Sequence, residues 1–269
     1  MYNVKHKQKI VVITGAASGI GAEFVRFFNK QDCKIALLDM SFERMQSLVD
    51  DLHIIKENYL LVEIDITNEE KVNNAFKNII QKFNSIDILI NNAGISQISL
   101  FEKTNLSIFK KVMDVNFYGT VYCTKYALPY LKKSKGQIIT LSSVAGFSPL
   151  YGRTAYAASK HALHGFMNSL QAEVRSEGVN VLLACPSFVK TNIEDRTFND
   201  KGKPFGEKKG IPGKIMTPNY VVSQIMIGVE KGKNIIYISK ISKISRLISF
   251  FFPKIFEQKM VEKVQKDLL

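Results

Sequence analysis

The sequence predicts an α/β fold: a doubly wound parallel β-sheet of about seven strands with helices on both faces. Short β-branched apolar runs alternate with helix-periodic stretches through the first 185 residues, as in successive βαβ units. A glycine-rich turn joins the first strand to the first helix. Polar residues or proline stand at the predicted strand ends, which is where parallel sheets bind ligands.

Length and composition are those of one globular domain, with 269 residues, 46% hydrophobic and 23% charged. The net charge of +13 admits nucleic acid, an anionic membrane or an acidic ligand as partner, or simply a lysine-rich surface in water. The lysines are scattered and no stripe of arginine and aromatic residues accompanies them, so we expect no nucleic-acid partner. No run of about 18 apolar residues occurs, so we expect no membrane-spanning helix.

The cysteines Cys33, Cys123 and Cys185 are odd in number, far apart and in apolar surroundings. Reduced thiols in a cytoplasmic protein are the simplest interpretation. Neither these cysteines nor the four histidines have the spacing of a metal site, so we expect no metal.

The first predicted strand covers residues 10–13 and leads directly into a turn rich in glycine. Glycines let the backbone approach a diphosphate, and the following helix supplies free N–H groups and the positive end of its dipole. The turn is Thr14-Gly15-Ala16-Ala17-Ser18-Gly19-Ile20-Gly21.

The second strand, residues 34–38, ends at Asp39, some 20 residues after the glycines. An acidic residue there is placed to hold the adenosine ribose hydroxyls of a dinucleotide and would repel a 2′-phosphate. No basic residue replaces Ser18, and both points favour NAD over NADP. The alternative is that Asp39 caps a helix that starts near Phe42.

The remaining elements follow from the same periodicities. Strands are predicted at 60–64, 87–90, 137–141, 180–184 and 234–238, and helices at 42–52, 69–83, 106–132, 155–177 and 219–231. The polar stretch of about 190–218 contains Gly and Pro and is typical of a mobile lid or substrate loop. We therefore expect a single catalytic domain over residues 1–239.

Tyr156 and Lys160 lie four residues apart on a predicted helix and so share one face. A cation one turn away lowers the pKa of a phenol from its usual value of about 10. The pair is a candidate general acid–base, although the same spacing also occurs by chance in many helices.

Together these motifs resemble the short-chain dehydrogenases/reductases in order and spacing, over roughly residues 8–238, and imply a Rossmann-type fold. The matching residues are the Thr14–Gly21 turn, Asn91-Asn92-Ala93-Gly94, Asn116, Ser143, Tyr156 and Lys160.

The resemblance implies a role for each of these residues. Tyr156 would exchange a proton with the substrate oxygen, Lys160 would bind the nicotinamide ribose, and Ser143 would hydrogen-bond the carbonyl. Asn116 would hold a water in a proton relay to Lys160. Further cofactor contacts would come from Asp65, Ile66, Asn92, Ala93, Gly94, Pro186, Val189 and Thr191. One departure is Ser187, where the family usually has glycine.

The implied function is hydride transfer between NAD and an alcohol or ketone, by a homodimer or homotetramer. The alternative is a catalytically inactive nucleotide-binding relative of the same fold. Aromatic and apolar residues near the expected site suggest a lipid-, retinoid- or steroid-like substrate, unless they only pack the loop. They are Phe147, Leu150, Tyr151, Phe188, Phe198 and Phe205.

Residues 240–269 form an extension in which apolar side chains recur at helical spacing among lysines, with Pro253 expected to break the helix. Basic and apolar residues on one short segment are the pattern of a peripheral membrane helix at the inner face of a membrane. The alternatives are that this face packs on the protein's own body or on a second subunit.

Overall fold

In the computed structural model, which describes residues 8–191, 193, 196–205 and 215–265, seven parallel strands form one sheet in the order β3-β2-β1-β4-β6-β7-β9. The strands are β1 (Ile10–Thr14), β2 (Lys34–Asp39), β3 (Tyr59–Glu63), β4 (Ile88–Asn91), β6 (Gln137–Leu141), β7 (Asn180–Cys185) and β9 (Ile235–Tyr237). The order reverses between β1 and β4, which is the crevice where such sheets bind ligands.

Helices cover both faces of this sheet. They are α1 (Gly19–Asn29), α2 (Phe42–Asp51), α3 (Glu69–Phe83), α4 (Leu106–Met113), α5 (Gly119–Ser134), α6 (Thr154–Val174), α7 (Pro218–Glu230), α8 (Lys240–Phe251) and α9 (Pro253–Gln265). Alternate residues of β1 enter two separate cores: Val11 and Ile13 pack with α1, α2 and α7, whereas Ile10 and Val12 pack with α3, α5 and α6. The predicted doubly wound sheet is confirmed.

The predicted long helix over 106–132 is interrupted. Residues Asp114–Tyr118 form a π-helical turn between α4 and α5, and the Gly119 N–H donates to the Asp114 carbonyl five residues earlier. This turn carries Asn116, whose side chain is fully buried. A π-turn in a helix is commonly found at a functional site.

A second, two-stranded sheet was not predicted. β5 (Ser96–Gln97) pairs in parallel with β8 (Thr197–Phe198), and Ser96, Gln97 and Thr197 are buried. The pair joins the chain after β4 to the predicted substrate loop. Part of that loop, residues 206–214, lies outside the described residues.

Helices α8 and α9 follow β9, with Pro253 at the start of the second. Ser242 is fully buried and Ser249 Oγ donates to the Phe147 carbonyl, so serines of α8 face the protein. Ile248 and Phe256 are half-buried, but most of the large apolar side chains of these helices are exposed, and packing on the protein's own body does not account for those. The most exposed are Ile244, Leu247, Phe250, Phe251 and Phe252. Over the described residues, every helix is too short or too polar to cross a membrane.

Candidate active site

The glycine-rich turn between β1 and α1 is packed too closely to accommodate side chains at its glycine positions. Gly15 has φ +65°, and a Cβ added to Gly21 would lie 2.1 Å from the Gly15 carbonyl oxygen. Ser18 and Gly19 stand at the start of α1, so the helix presents its first N–H groups at the turn. Such N–H groups can hold an anion, and the predicted cofactor residues Thr14, Gly15, Ser18, Gly19, Ile20 and Gly21 all lie in this turn.

The end of β4 is tied to this turn. Thr14 Oγ1 accepts from the backbone N–H groups of Asn92 and Ala93 at 3.0 and 3.1 Å. Asn92 Nδ2 donates to the carbonyls of Thr14 and Gly15, both at 3.0 Å. The predicted Asn92-Ala93-Gly94 motif is therefore part of the same crevice as the glycine turn.

Asp39 is buried at the end of β2, with 7% of its surface exposed. Its carboxylate accepts from the Ala17 N–H at 3.0 Å and from the Ser41 N–H at 3.2 Å. The N-cap position of α2 is occupied by Ser41 rather than by Asp39, so the helix-cap alternative is wrong. The carboxylate instead borders the glycine turn through its contact with Ala17.

The other predicted cofactor contacts differ in surroundings. Asp65 is exposed and accepts from the Thr67 N–H and hydroxyl, whereas Ile66 is buried against the start of α5 at Gly119. The Pro186 carbonyl accepts from the Val144 N–H at 3.3 Å. Val189 bridges to Met216, and Thr191 lies over Gly19, 3.2 Å from where a Cβ would be.

Tyr156 and Lys160 lie one turn apart on α6, and both are buried, at 8% and 5% exposure. The Lys160 ammonium donates to the Leu141 carbonyl at the end of β6, at 2.8 Å. Its nitrogen lies 5.8 Å from the centre of the Tyr156 ring. Helix α6 carries both side chains, and the Leu141 carbonyl of β6 fixes the position of the Lys160 ammonium.

The expected effect of Lys160 on the tyrosine is not what the structure shows. Burial raises the pKa of Tyr156 above 10, while the Ser143 hydrogen bond and the Arg153 charge lower it by less. Burial also lowers the pKa of Lys160 to about 8. Desolvation therefore favours the neutral form of both groups.

Ser143 follows β6 and is hydrogen-bonded to Tyr156. Its Oγ also accepts from the Ala145 N–H at 3.2 Å, which caps a short 3₁₀ turn, Val144–Gly146. The hydroxyl is thus held next to the phenol. Both can donate to one substrate oxygen.

The side-chain amide of Asn116 is hydrogen-bonded to other residues of the protein. Its Oδ1 accepts from the Ile95 N–H at 2.9 Å, and its Nδ2 donates to the Ile95 carbonyl at 3.0 Å and to Ser159 Oγ at 2.9 Å. A Cβ on Gly94 would lie 3.2 Å from Asn116 Oδ1 and 3.8 Å from Lys160 Nζ. Asn116 is thereby next to Lys160, but its amide is already bonded to Ile95 and Ser159.

Two site residues were missed. Arg153, three residues before Tyr156, donates to Ser96 Oγ at 2.9 Å and lowers the pKa of the tyrosine. His164 Nε2 lies 2.9 Å from Ser142 Oγ and 3.7 Å from Cys185 Sγ. Its position one turn after Lys160 was the available signal. Among the described residues, no group of three or more His, Cys, Asp or Glu could hold a metal.

Comparison with known proteins agrees with this geometry. The family model "short chain dehydrogenase" matches residues 9–202. Dehydrogenase/reductase SDR family member 7B of Xenopus tropicalis is 32% identical over 266 residues, covering 96% of this chain and 86% of that protein. The 11-beta-hydroxysteroid dehydrogenase-like 2 of Arabidopsis thaliana is 34% identical over 194 residues, 71% of this chain and 63% of that protein.

Among solved structures, ElxO with NADP bound has a TM-score of 0.71 and 31% identity, covering 82% of this chain and 90% of that one. The family match spans more than half of the chain and includes the glycine turn, the Tyr156–Lys160 pair and Ser143. The chain therefore belongs to the short-chain dehydrogenase/reductase family of oxidoreductases.

Proposed function

We propose that the protein transfers hydride between a nicotinamide cofactor and an apolar alcohol or ketone, with Tyr156 as the general acid–base. The observation that carries the proposal is that Tyr156, Ser143 and Lys160 lie together at the end of β6. An inactive scaffold would have no need to bury Tyr156 and Lys160 beside Ser143, at a cost in desolvation.

The residues divide the chemistry among them. The cofactor, when bound, supplies or accepts the hydride. Tyr156 donates a proton to the substrate oxygen in reduction and removes it in oxidation. Ser143 donates a second hydrogen bond to the same oxygen, where negative charge develops. The Lys160 ammonium, fixed by Leu141, stabilises the tyrosinate that forms when the proton leaves.

The cofactor proposed is NAD, with NADP less favoured. The glycines let this part of the chain pack closely, since a Cβ at Gly15, Gly21 or Gly94 would meet atoms of the protein at 2.9, 2.1 and 3.2 Å. The free N–H groups at the start of α1 would hold the diphosphate. The Asp39 carboxylate borders the turn and would repel a 2′-phosphate. ElxO, by its title, binds NADP, so the two cofactors must be compared directly.

An apolar substrate is supported by large side chains that stay exposed on the segments near the site. Phe188 and Ile215 are 36% and 43% exposed, and both flank the Val189–Met216 bridge. The name of the Arabidopsis relative refers to a hydroxysteroid dehydrogenase. A lipid-, retinoid- or steroid-like alcohol fits both observations.

The test is a panel of ketones and alcohols of graded chain length, assayed with NAD(H) and NADP(H) in parallel. We expect turnover that rises with the apolar size of the substrate. Cofactor binding without turnover on any member of the panel would favour the inactive alternative.

We also propose that α8 and α9 bind an anionic membrane surface peripherally. Helix α8 turns Ser242 and Ser249 toward the protein and exposes Leu247, Phe250 and Phe251 by 59%, 63% and 64%. A helix that packs only on its own domain has the opposite arrangement. Basic side chains on the same two helices match an anionic leaflet, at about 1 kcal/mol each. They are Lys240, Lys243, Arg246, Lys254 and Lys259.

Vesicle flotation tests this proposal with the full-length protein. We expect binding to phosphatidylserine vesicles at low salt and loss of binding in Phe250→Ser/Phe251→Ser. Leu106→Ser is the matched control, because Leu106 is 71% exposed on α4. A protein that stays in solution, and whose oligomers dissociate in the double variant, would show that the apolar face covers a second subunit of a homodimer or homotetramer.

A further inference from the structure

A cation from the segment between β7 and α7 reaches the glycine-rich turn. Arg196 Nη2 donates to Ser18 Oγ at 3.2 Å, across 178 residues of sequence. Thr191 of the same segment packs over Gly19, with its Cβ and Cγ2 3.2 Å from where a glycine Cβ would be. Two side chains of this segment therefore meet the turn at the start of α1.

The backbone of Arg196 is held in place by its neighbours. Its N–H donates to the Ile193 carbonyl at 3.1 Å, and Thr197 Oγ1 donates to the same carbonyl at 2.8 Å. Thr197 is buried and pairs with Ser96 in the β5–β8 sheet. The guanidinium is thus presented from a strand end, which limits the conformational entropy lost when it binds a ligand.

We propose that Arg196 is a cofactor-binding residue that contacts the diphosphate of the dinucleotide. A guanidinium has five N–H donors in a fork that matches phosphate oxygens. The start of α1 directs N–H groups at the same anion. Within the described part of the chain, no salt bridge joins Arg196 to a carboxylate.

The diphosphate is favoured over a 2′-phosphate by the position of Asp39. Its carboxylate accepts from the Ala17 N–H at 3.0 Å, on the residue before Ser18. The Asp39 carboxylate would repel a 2′-phosphate on the ribose. The diphosphate is therefore the anion that remains for Arg196 to bind. The inference rests on the proposed nicotinamide-dependent function and assigns to it a residue far outside the glycine motif.

Isothermal titration calorimetry tests the assignment with NADH, NADPH, ADP-ribose and AMP. We expect Arg196→Gln to weaken the binding of NADH and of ADP-ribose by similar factors of about tenfold. Both ligands would lose a charge-assisted contact between the guanidinium and the diphosphate. AMP, which lacks the diphosphate, should change little. Arg196→Lys should recover part of the loss, and the matched control Lys201→Gln, an exposed cation of the same segment, should bind like wild type.

Salt dependence and thermal unfolding separate binding from folding. The affinity of the wild type for NADH should fall more steeply with salt than that of Arg196→Gln, while the two ligand-free proteins unfold at the same temperature. Equal NADH affinity in wild type and Arg196→Gln, or a loss confined to NADPH, would overturn the assignment alone. Failure of the wild type to bind either cofactor would overturn the proposed function as well.

Discussion

The Lys160 ammonium nitrogen lies 5.8 Å from the centre of the Tyr156 ring while it donates to the Leu141 carbonyl at 2.8 Å. The cation is therefore positioned by the main chain of β6 and not by the phenol. Burial raises the pKa of Tyr156 and lowers that of Lys160 to about 8, so the two groups change charge in different pH ranges.

Replacement of Tyr156 by Phe tests the acid–base role directly. Phe keeps the buried ring and removes only the hydroxyl that transfers the proton. We expect kcat to fall by about 10²–10⁴-fold while the Kd for NADH changes by less than about twofold. The measurements are steady-state kinetics and calorimetry on the same samples, and a variant that keeps more than about a tenth of wild-type kcat contradicts the assignment.

The pH dependence of carbonyl reduction should report Lys160. Tyr156, with its raised pKa, stays protonated and ready to donate through the neutral range, whereas the Lys160 cation is lost as pH rises through about 8. We expect kcat/KM for reduction to fall above that pH, by up to about tenfold per unit.

Oxidation of the alcohol should respond in the opposite direction at first, because it requires removal of the tyrosine proton. Lys82→Gln is the control: the Lys82 pKa is also lowered by desolvation, but the residue lies on α3, and its variant should keep the wild-type profile. A reduction rate that stays constant to pH 10 would show that the Lys160 charge is not needed.

Asp39 should set the preference between the two cofactors. Asp39→Asn keeps an oxygen for the Ala17 N–H and removes the negative charge, so it isolates repulsion of the 2′-phosphate from support of the turn. We expect wild type to favour NADH in kcat/KM, and Asp39→Asn and Asp39→Ser to shift the ratio toward NADPH by about tenfold or more.

Asp50→Asn, an exposed change on α2, serves as control and should leave the ratio unchanged. A wild-type preference for NADPH would refute the role given to Asp39.

His164 should make the protein less stable in acid. Burial lowers its pKa to about 4, against 6.5 when unfolded, so the unfolded chain binds more protons between these values. Stability is thus unaffected above pH 6.5 and falls as pH drops toward 4. We expect His164→Gln to remove about 1–2 kcal/mol of that loss, measured by urea unfolding at pH 7 and pH 4.5.

The matched control is His53→Gln, because His53 is an exposed histidine that does not contribute to the pKa of His164. It should show the wild-type acid dependence. If His164→Gln shows the same loss of stability between the two pH values as wild type, His164 is already protonated in the folded state.

Much of the fold was predictable because the strands of a doubly covered sheet are continuous apolar runs, as in Ile10–Thr14 and Lys34–Asp39. The candidate site followed for the same reason: polar residues at the ends of such strands, among them Asp39 and Ser143, meet at one edge of the sheet. Boundaries shifted by a residue or two at some strands, as at β3 (Tyr59–Glu63).

What could not be predicted depends on contacts between distant segments. The β5–β8 strands have two residues each, too few for any periodicity. The pKa of Tyr156 depends on how deeply its ring is buried, which the spacing to Lys160 does not reveal. Arg196 carries no local signal, because its partner Ser18 is far away in the chain. The spacing of His164 to Lys160 places both on one face of α6, but it does not reveal the contact with Ser142.

The π-helical turn at Asp114–Tyr118 contains one residue more than an α-helix needs for the same path. Removing any one residue there would restore regular winding and leave α4 and α5 on the same path, but it would change which side chain stands at each position of the turn. Asn116 would then lose Ile95, or Gly119 would lose its close packing on Ile66. The number of residues in this helix is therefore more tightly constrained than the identity of its exposed residues. We expect it to accept many surface substitutions, whereas deletion of a single residue should abolish activity.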